Sequence, residues 1–143
     1  MTLRVLIVED EALIAMDIEN VVQQAGHEVV GIASRVSDAR ALTPLMPDLA
    51  FVDLNLKDGL TGRHIAADLV RKHDVTVIFV TANIDQIQFD LCGALGVLPK
   101  PFSTEAMTEV IDFAAAIRDQ DSHAEIPHCL LTPNSGPLWR QLR

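Results

Sequence analysis

In LRVLIVEDEALIAMDIENVVQQAGHEVVGIA, residues 3–33, an almost continuous apolar run, Leu3–Val8, meets three acids, Glu9-Asp10-Glu11, and then a segment of helical period. Leu13, Ile14, Ile18, Val21, Val22 and Ala25 fall on one face of that segment, and Gly26 stands where a helix-ending glycine belongs. A second apolar run, Glu28–Ala33, follows at once. A strand buried on both faces reads as unbroken Val, Ile and Leu, whereas a half-exposed strand alternates. The stretch is therefore a β-α-β unit of a parallel sheet.

Working outward, the same alternation continues. Apolar runs recur at Leu49–Val52, Val75–Val80 and Gly96–Leu98. Helical period recurs over 36–45, closed by Pro47, and over 62–72, 84–95 and 104–118, the last with Ser103 as N-cap. Strand and helix alternating five times predict an α/β fold with helices on both faces of a parallel sheet. Right-handed crossovers leave few arrangements, and five strands favour the doubly wound flavodoxin-like order 2-1-3-4-5. In such sheets ligands gather outside the carboxyl ends of the strands, beside the switch point between the first and third. Residues 1–120 form this unit. Residues 121–143 read as an extension too short for a second domain; its Leu130, Leu131, Leu138 and Trp139 can dock on the domain or lie free.

Composition narrows the function. At 143 residues with a formal net charge of −9, the chain lacks the clustered Lys and Arg of a nucleic-acid surface. Cys92 and Cys129 lie too far apart in sequence for a zinc-ligand motif; Cys92 reads as a small core hydrophobe in a helix. The first residues run straight into a strand without a signal-peptide layout, and no apolar run is long enough to span a bilayer. A cytoplasmic protein without membrane association is expected.

The predicted strand ends carry Glu9, Asp10 and Glu11, then Asp53, then Thr81, then Lys100. Each has an ordinary reading when taken alone: first-turn acids of a helix, a loop acid, a β-branched strand residue and a snorkelling lysine. Converging on one crevice, they mean more. Crowded carboxylates raise one another's pKa unless a cation joins them. Oxygen donors of this kind suit Mg²⁺ or a similar ion such as Mn²⁺. A carboxylate can also attack phosphorus, and phosphoryl transfer asks chiefly for positioning and charge neutralisation. Lys100 sits in Pro99-Lys100-Pro101-Phe102, where the prolines restrict the backbone and admit a cis bond at Lys100–Pro101.

Val8-Glu9-Asp10-Glu11, Val52-Asp53-Leu54-Asn55, Val80-Thr81-Ala82 and Lys100-Pro101-Phe102 together resemble the four motifs of response-regulator receiver domains, in that family's order, over about residues 1–120. The resemblance implies a phosphoprotein of a two-component system in which Asp53 accepts a phosphoryl group. It implies Mg²⁺ held by Asp10 and Asp53, by Glu9 largely through water, and by the backbone carbonyl of Asn55. Thr81 and Lys100 would hold the phosphoryl group, Ala82 would leave room for it, and Asn55 and Asn83 would tune dephosphorylation. The implied partners are a sensor histidine kinase or histidine phosphotransfer protein and a downstream protein. The resemblance also implies pairing of two copies through the fourth helix, fifth strand and fifth helix. Val110, Ile111, Ala114, Ala115 and Ile117 could serve that face or the core.

Two departures from the family pattern stand out. Val97 occupies the place of the usual aromatic switch residue, three before the lysine. Lys57 stands where many receivers have proline, which predicts a looser loop over 56–62. Other readings make different demands on the residues. A pseudo-receiver, acting as an interaction module without phosphorylation, should lack part of the acidic cluster or the lysine. An Asp-nucleophile phosphatase should carry its nucleophile on the first strand. A flavodoxin-like cofactor binder should have a Ser/Thr/Gly-rich loop there.

Overall fold

A computed structural model describes residues 1–86 and 91–132. Five strands, β1 (Arg4–Val8), β2 (Glu28–Ala33), β3 (Leu49–Val52), β4 (Thr76–Thr81) and β5 (Gly96–Pro99), form one parallel sheet in the order β2-β1-β3-β4-β5. Helices α1 (Ala12–Gln24), α2 (Val36–Leu42), α3 (Gly62–His73) and α4 (Thr104–Arg118) flank it. This is the doubly wound order expected from the sequence.

The sheet has a core on each face, and the period-two alternation of the strands divides the residues between them. Leu6 and Val8 of β1 join Val52, Val77, Phe79 and Val97 beneath α2 and α3. Leu3, Val5 and Ile7 join Phe51, Ile78 and Leu98 beneath α1 and α4. Gly26 ends α1 with φ of 86°, and Ser103 Oγ accepts from Ala106 N at 3.0 Å to cap α4. Pro44 lies in a single 3₁₀ turn, Thr43–Leu45, that closes α2 earlier than predicted. Val110, Ile111 and Ala114 of α4 are fully buried against the sheet, so the core takes them. Leu13, placed on the inner face of α1 by its spacing, is 77% exposed instead. It lies in the first turn, beyond the end of β1, where no sheet remains to cover it.

The helix predicted over 84–95 lies partly outside the described residues. Within them, Ile84–Gln86 form a 3₁₀ turn and Leu91–Leu95 form no helix. Cys92 and Gly93 have φ of 55° and 87°, and left-handed backbone at two successive residues ends any helix. Cys92 is therefore half-buried in a turn and not a helical core residue.

The extension is part of the structure as far as Thr132. Leu130 and Leu131 are buried, and Leu131 makes an antiparallel bridge to Val97 on the outer edge of β5. Leu138 and Trp139 lie outside the described residues. No described helix is long and apolar enough to cross a membrane.

Candidate functional site

The backbone ladders bring the strand-end residues together. Glu9 N donates to Ala33 O at 2.8 Å, Asp53 N to Val8 O at 2.9 Å, and Lys100 N to Thr81 O at 3.0 Å. Each ladder therefore runs one residue past its strand, fixing Glu9, Asp53 and Lys100 where the side chains of neighbouring strands face one crevice. Gly62, the first residue of α3, seals the arrangement from beside Asp53. A Cβ on Gly62 would stand 1.9 Å from Asp53 O, so only glycine lets α3 start against that backbone.

Glu9 and Asp53 are buried, 3% and 6% exposed, and Thr81 is fully buried. One carboxylate oxygen from each of Glu9, Asp10 and Asp53 lies within 4.8 Å of the others. Lys100 Nζ stands 2.6 Å from Glu9 Oε1, 2.9 Å from Asp53 Oδ2 and 3.2 Å from Glu11 Oε2. One ammonium thus faces three carboxylates. Neither Glu9 nor Asp10 caps α1; Glu11 occupies the N-cap position without a side-chain capping bond, and its carboxylate turns to Lys100 instead. Two further residues belong to the candidate site: Glu11, which the sequence places at the strand end without a role, and Gly62, which it does not mark. Glu11 was visible as the third acid of its run, whereas the need for Gly62 arises only from tertiary contact.

Around this centre, Asn55 N approaches Asp53 Oδ1 at 3.4 Å, and Thr81 Oγ1 accepts from Asn83 N at 3.0 Å. Asp10, Glu11, Asp53, Asn55, Ala82, Asn83 and Lys100 line an open cleft of about 200 Å³. The Lys100–Pro101 bond is cis. Val97 is fully buried in β5. The loop after β3 is tied at several points: Leu56 and Gly59 exchange backbone bonds of 2.8 and 2.9 Å, and Lys57 N reaches Ser34 O at 3.0 Å. Asp58 accepts from Val36 N at 3.1 Å and from Thr61 Oγ1 at 2.6 Å.

Burial raises the pKa of Glu9 to about 7, and the neighbouring Asp53 charge adds to the rise; Lys100 opposes both. For Lys100, burial disfavours the charge, but its close contacts with the Glu9 and Asp53 carboxylates outweigh that and hold its pKa above the usual lysine value. The donor set fits a hard divalent cation. Three carboxylates converge, and Glu9 Oε1 is a buried oxygen that meets only the Lys100 charge, without a directed hydrogen bond. A cation at the cluster would satisfy that oxygen.

Residues 5–112 match the response regulator receiver domain family, and the chain belongs to it. It is 32% identical over 130 residues to the phyllosphere-induced regulator PhyR of Methylorubrum extorquens, covering 86% of this chain and 49% of that protein. It is 33% identical over 119 residues to the transcriptional regulatory protein PdtaR of Mycobacterium tuberculosis, covering 79% of this chain and 57% of that protein. The chain thus spans about half the length of these relatives. Among solved structures, the Erythrobacter litoralis PhyR receiver domain superposes with a TM-score of 0.71 at 31% identity, covering 87% of this chain and 97% of that one. The anti-anti-sigma factor PhyR of Bartonella quintana gives 0.70 at 32% identity, covering 88% and 52%.

Proposed function

We propose that this receiver accepts a phosphoryl group from a phosphohistidine of a sensor kinase, or of a histidine phosphotransfer protein, onto Asp53 in a Mg²⁺-dependent reaction. The observation that carries this reading is the meeting of Asp53, Glu9 and Asp10 within 4.8 Å, with Lys100 Nζ 2.9 Å from the Asp53 carboxylate. Glu9, Asp10, Asp53 and the carbonyl of Asn55 would hold the cation, which supplies charge neutralisation for the incoming phosphoryl oxygens. An oxygen of Asp53 attacks phosphorus, the P–N bond breaks, and its electron pair returns to the imidazole nitrogen. Lys100 then exchanges a carboxylate contact for a phosphoryl oxygen. Thr81 turns its hydroxyl, now accepting from Asn83 N, toward another. Ala82 leaves space in the cleft, and Asn55 and Asn83 stand where they can govern slow attack by water.

Residues 1–120 act as the receiver, with 121–143 as an extension, in a cytoplasmic signalling protein. Output runs through protein contacts, including a downstream protein and pairing of two copies. Val97 removes the aromatic rotation from the readout, which passes instead through the backbone. The test is intact mass after incubation with acetyl phosphate and Mg²⁺. The wild type gains one phosphoryl group, Asp53→Asn gains none, and chelator abolishes the gain. No adduct on the wild type from acetyl phosphate or from histidine kinases would refute the proposal. It would favour the alternative, a phosphorylation-independent interaction module. The description of a relative as an anti-anti-sigma factor fits a protein-contact output under either reading.

A further inference from the structure

The outer edge of β5 is not open. Val97 N donates to Leu131 O at 2.8 Å, and Leu131 N donates to Val97 O at 2.9 Å. Leu130 joins the core beneath α1 and α4, whereas Leu131 joins the core beneath α2 and α3. Successive residues entering opposite faces is the signature of a strand. The extension therefore adds a short antiparallel element to the sheet, with the buried Thr132 following it. Gly96 makes the approach feasible: a Cβ there would lie 2.7 Å from Leu131 O and 2.8 Å from Leu130 Cγ.

β5 is short, Gly96–Pro99, and delivers Lys100 to the crevice. On its inner side it is held by β4; on its outer side only Leu131 is bridged to it among the described residues. Val97, the residue so held, lies three positions before Lys100. The acidic groups follow the ends of other strands, β1 and β3. We propose that Leu130 and Leu131 are positioning residues: by pinning β5 from outside, the extension holds Lys100 against Asp53. The proposal rests on the phosphotransfer reading for its catalytic consequence, but its structural part does not.

Two variants of the full chain loosen the contact from opposite sides. Leu131→Pro deletes the donor to Val97 O, and Gly96→Ala places a methyl group against Leu131 O without altering the extension. In both, amide exchange at Lys100 should accelerate at least tenfold relative to exchange at Asp53, whose amide is bonded to Val8 on the other side of the sheet. Mg²⁺ affinity, measured by calorimetry, should stay the same or tighten, because a displaced Lys100 competes less for the carboxylates. Phosphorylation by acetyl phosphate should fall about tenfold. Ile126→Ser, an exposed change elsewhere in the extension, should match the wild type on all three measures. Equal acceleration at Lys100 and Asp53, or none at Lys100, would overturn the proposal, as would loosened exchange with undiminished phosphorylation. If the wild type itself takes no phosphoryl group, the phosphotransfer reading fails, and the exchange ratio and Mg²⁺ affinity still decide whether the extension positions Lys100.

Discussion

Lys100 and Glu9 define the balance within the site. Lys100 is in ionic contact with Glu9, Glu11 and Asp53, so it competes with any ion that those carboxylates would bind. Lys100→Met should therefore tighten Mg²⁺ binding, read by calorimetry, while phosphorylation falls by about a hundredfold, the usual scale for losing one preorganised charge partner of a transition state. A parallel loss of Mg²⁺ affinity would instead make Lys100 a scaffold for the acids. Glu9 supplies the pH dependence. Its pKa of about 7 stands above the ordinary glutamate value of 4.5, so the folded chain holds this proton more tightly than the unfolded chain does. By linkage, the stability gained is complete below about 4.5 and is lost as pH rises through 7. Carboxyl NMR in chelator should show Glu9 titrating near 7, and Mg²⁺ should move that midpoint down, because the cation favours the ionised form. A Glu9 midpoint that ignores Mg²⁺ would place the ion elsewhere.

The element that matters most to Asp53 is α3, because its first residue sits on the backbone that carries the acid. Gly62→Ala puts a methyl group into the space of Asp53 O, which must move. Overpacking of this kind costs about 1–3 kcal/mol, and here the strain falls on the proposed phospho-acceptor. Chemical denaturation should show the loss, and phosphorylation under conditions where the variant is folded should fall as well; unchanged phosphorylation would mean that the backbone shift is absorbed away from Asp53. The loop between β3 and α3 is a second case. Lys57 in place of proline suggested a looser loop, yet Asp58 ties it to the start of α2 through Val36 N and to Thr61 within the loop. The bond from Thr61, with that from Val36 N, lowers the pKa of Asp58. Its stabilising contribution is therefore present above the ordinary aspartate range and lost as pH falls through the lowered folded value. Asp58→Asn should show a lower melting temperature at neutral pH and a smaller loss on acidification than the wild type. Equal acid sensitivity would remove Asp58 from the account.

At the scale of the whole molecule, the strands were legible because parallel strands covered on both faces are continuous apolar runs, and their order followed from the β-α alternation. The candidate site was legible for the same reason: strand ends converge, so the β-α alternation alone brings Glu9, Asp53, Thr81 and Lys100 together. What escaped depended on long-range partners. Leu91, Ala94 and Leu95 have helical spacing, but they are divided between the two cores from a turn, not a helix. Leu130 and Leu131 follow Pro127 in an irregular segment, and nothing local marks them as an edge for β5. Gly62 is needed only because α3 begins against Asp53. The molecule as a whole is also strongly acidic, with a net charge of −9, and three of its carboxylates face a single lysine in one cleft. Cation binding at the crevice should therefore stabilise the entire fold and not merely the site, because the unfolded chain offers no such cluster. At a hundredfold excess over Kd the gain is about 2.7 kcal/mol. Thermal unfolding should shift upward with Mg²⁺ and return on addition of chelator, at constant ionic strength. Asp10→Asn should lose most of this shift while retaining the Lys100 contacts. A shift that survives in Asp10→Asn, or that monovalent salt reproduces in the wild type, would assign the stabilisation to general screening of the acidic surface.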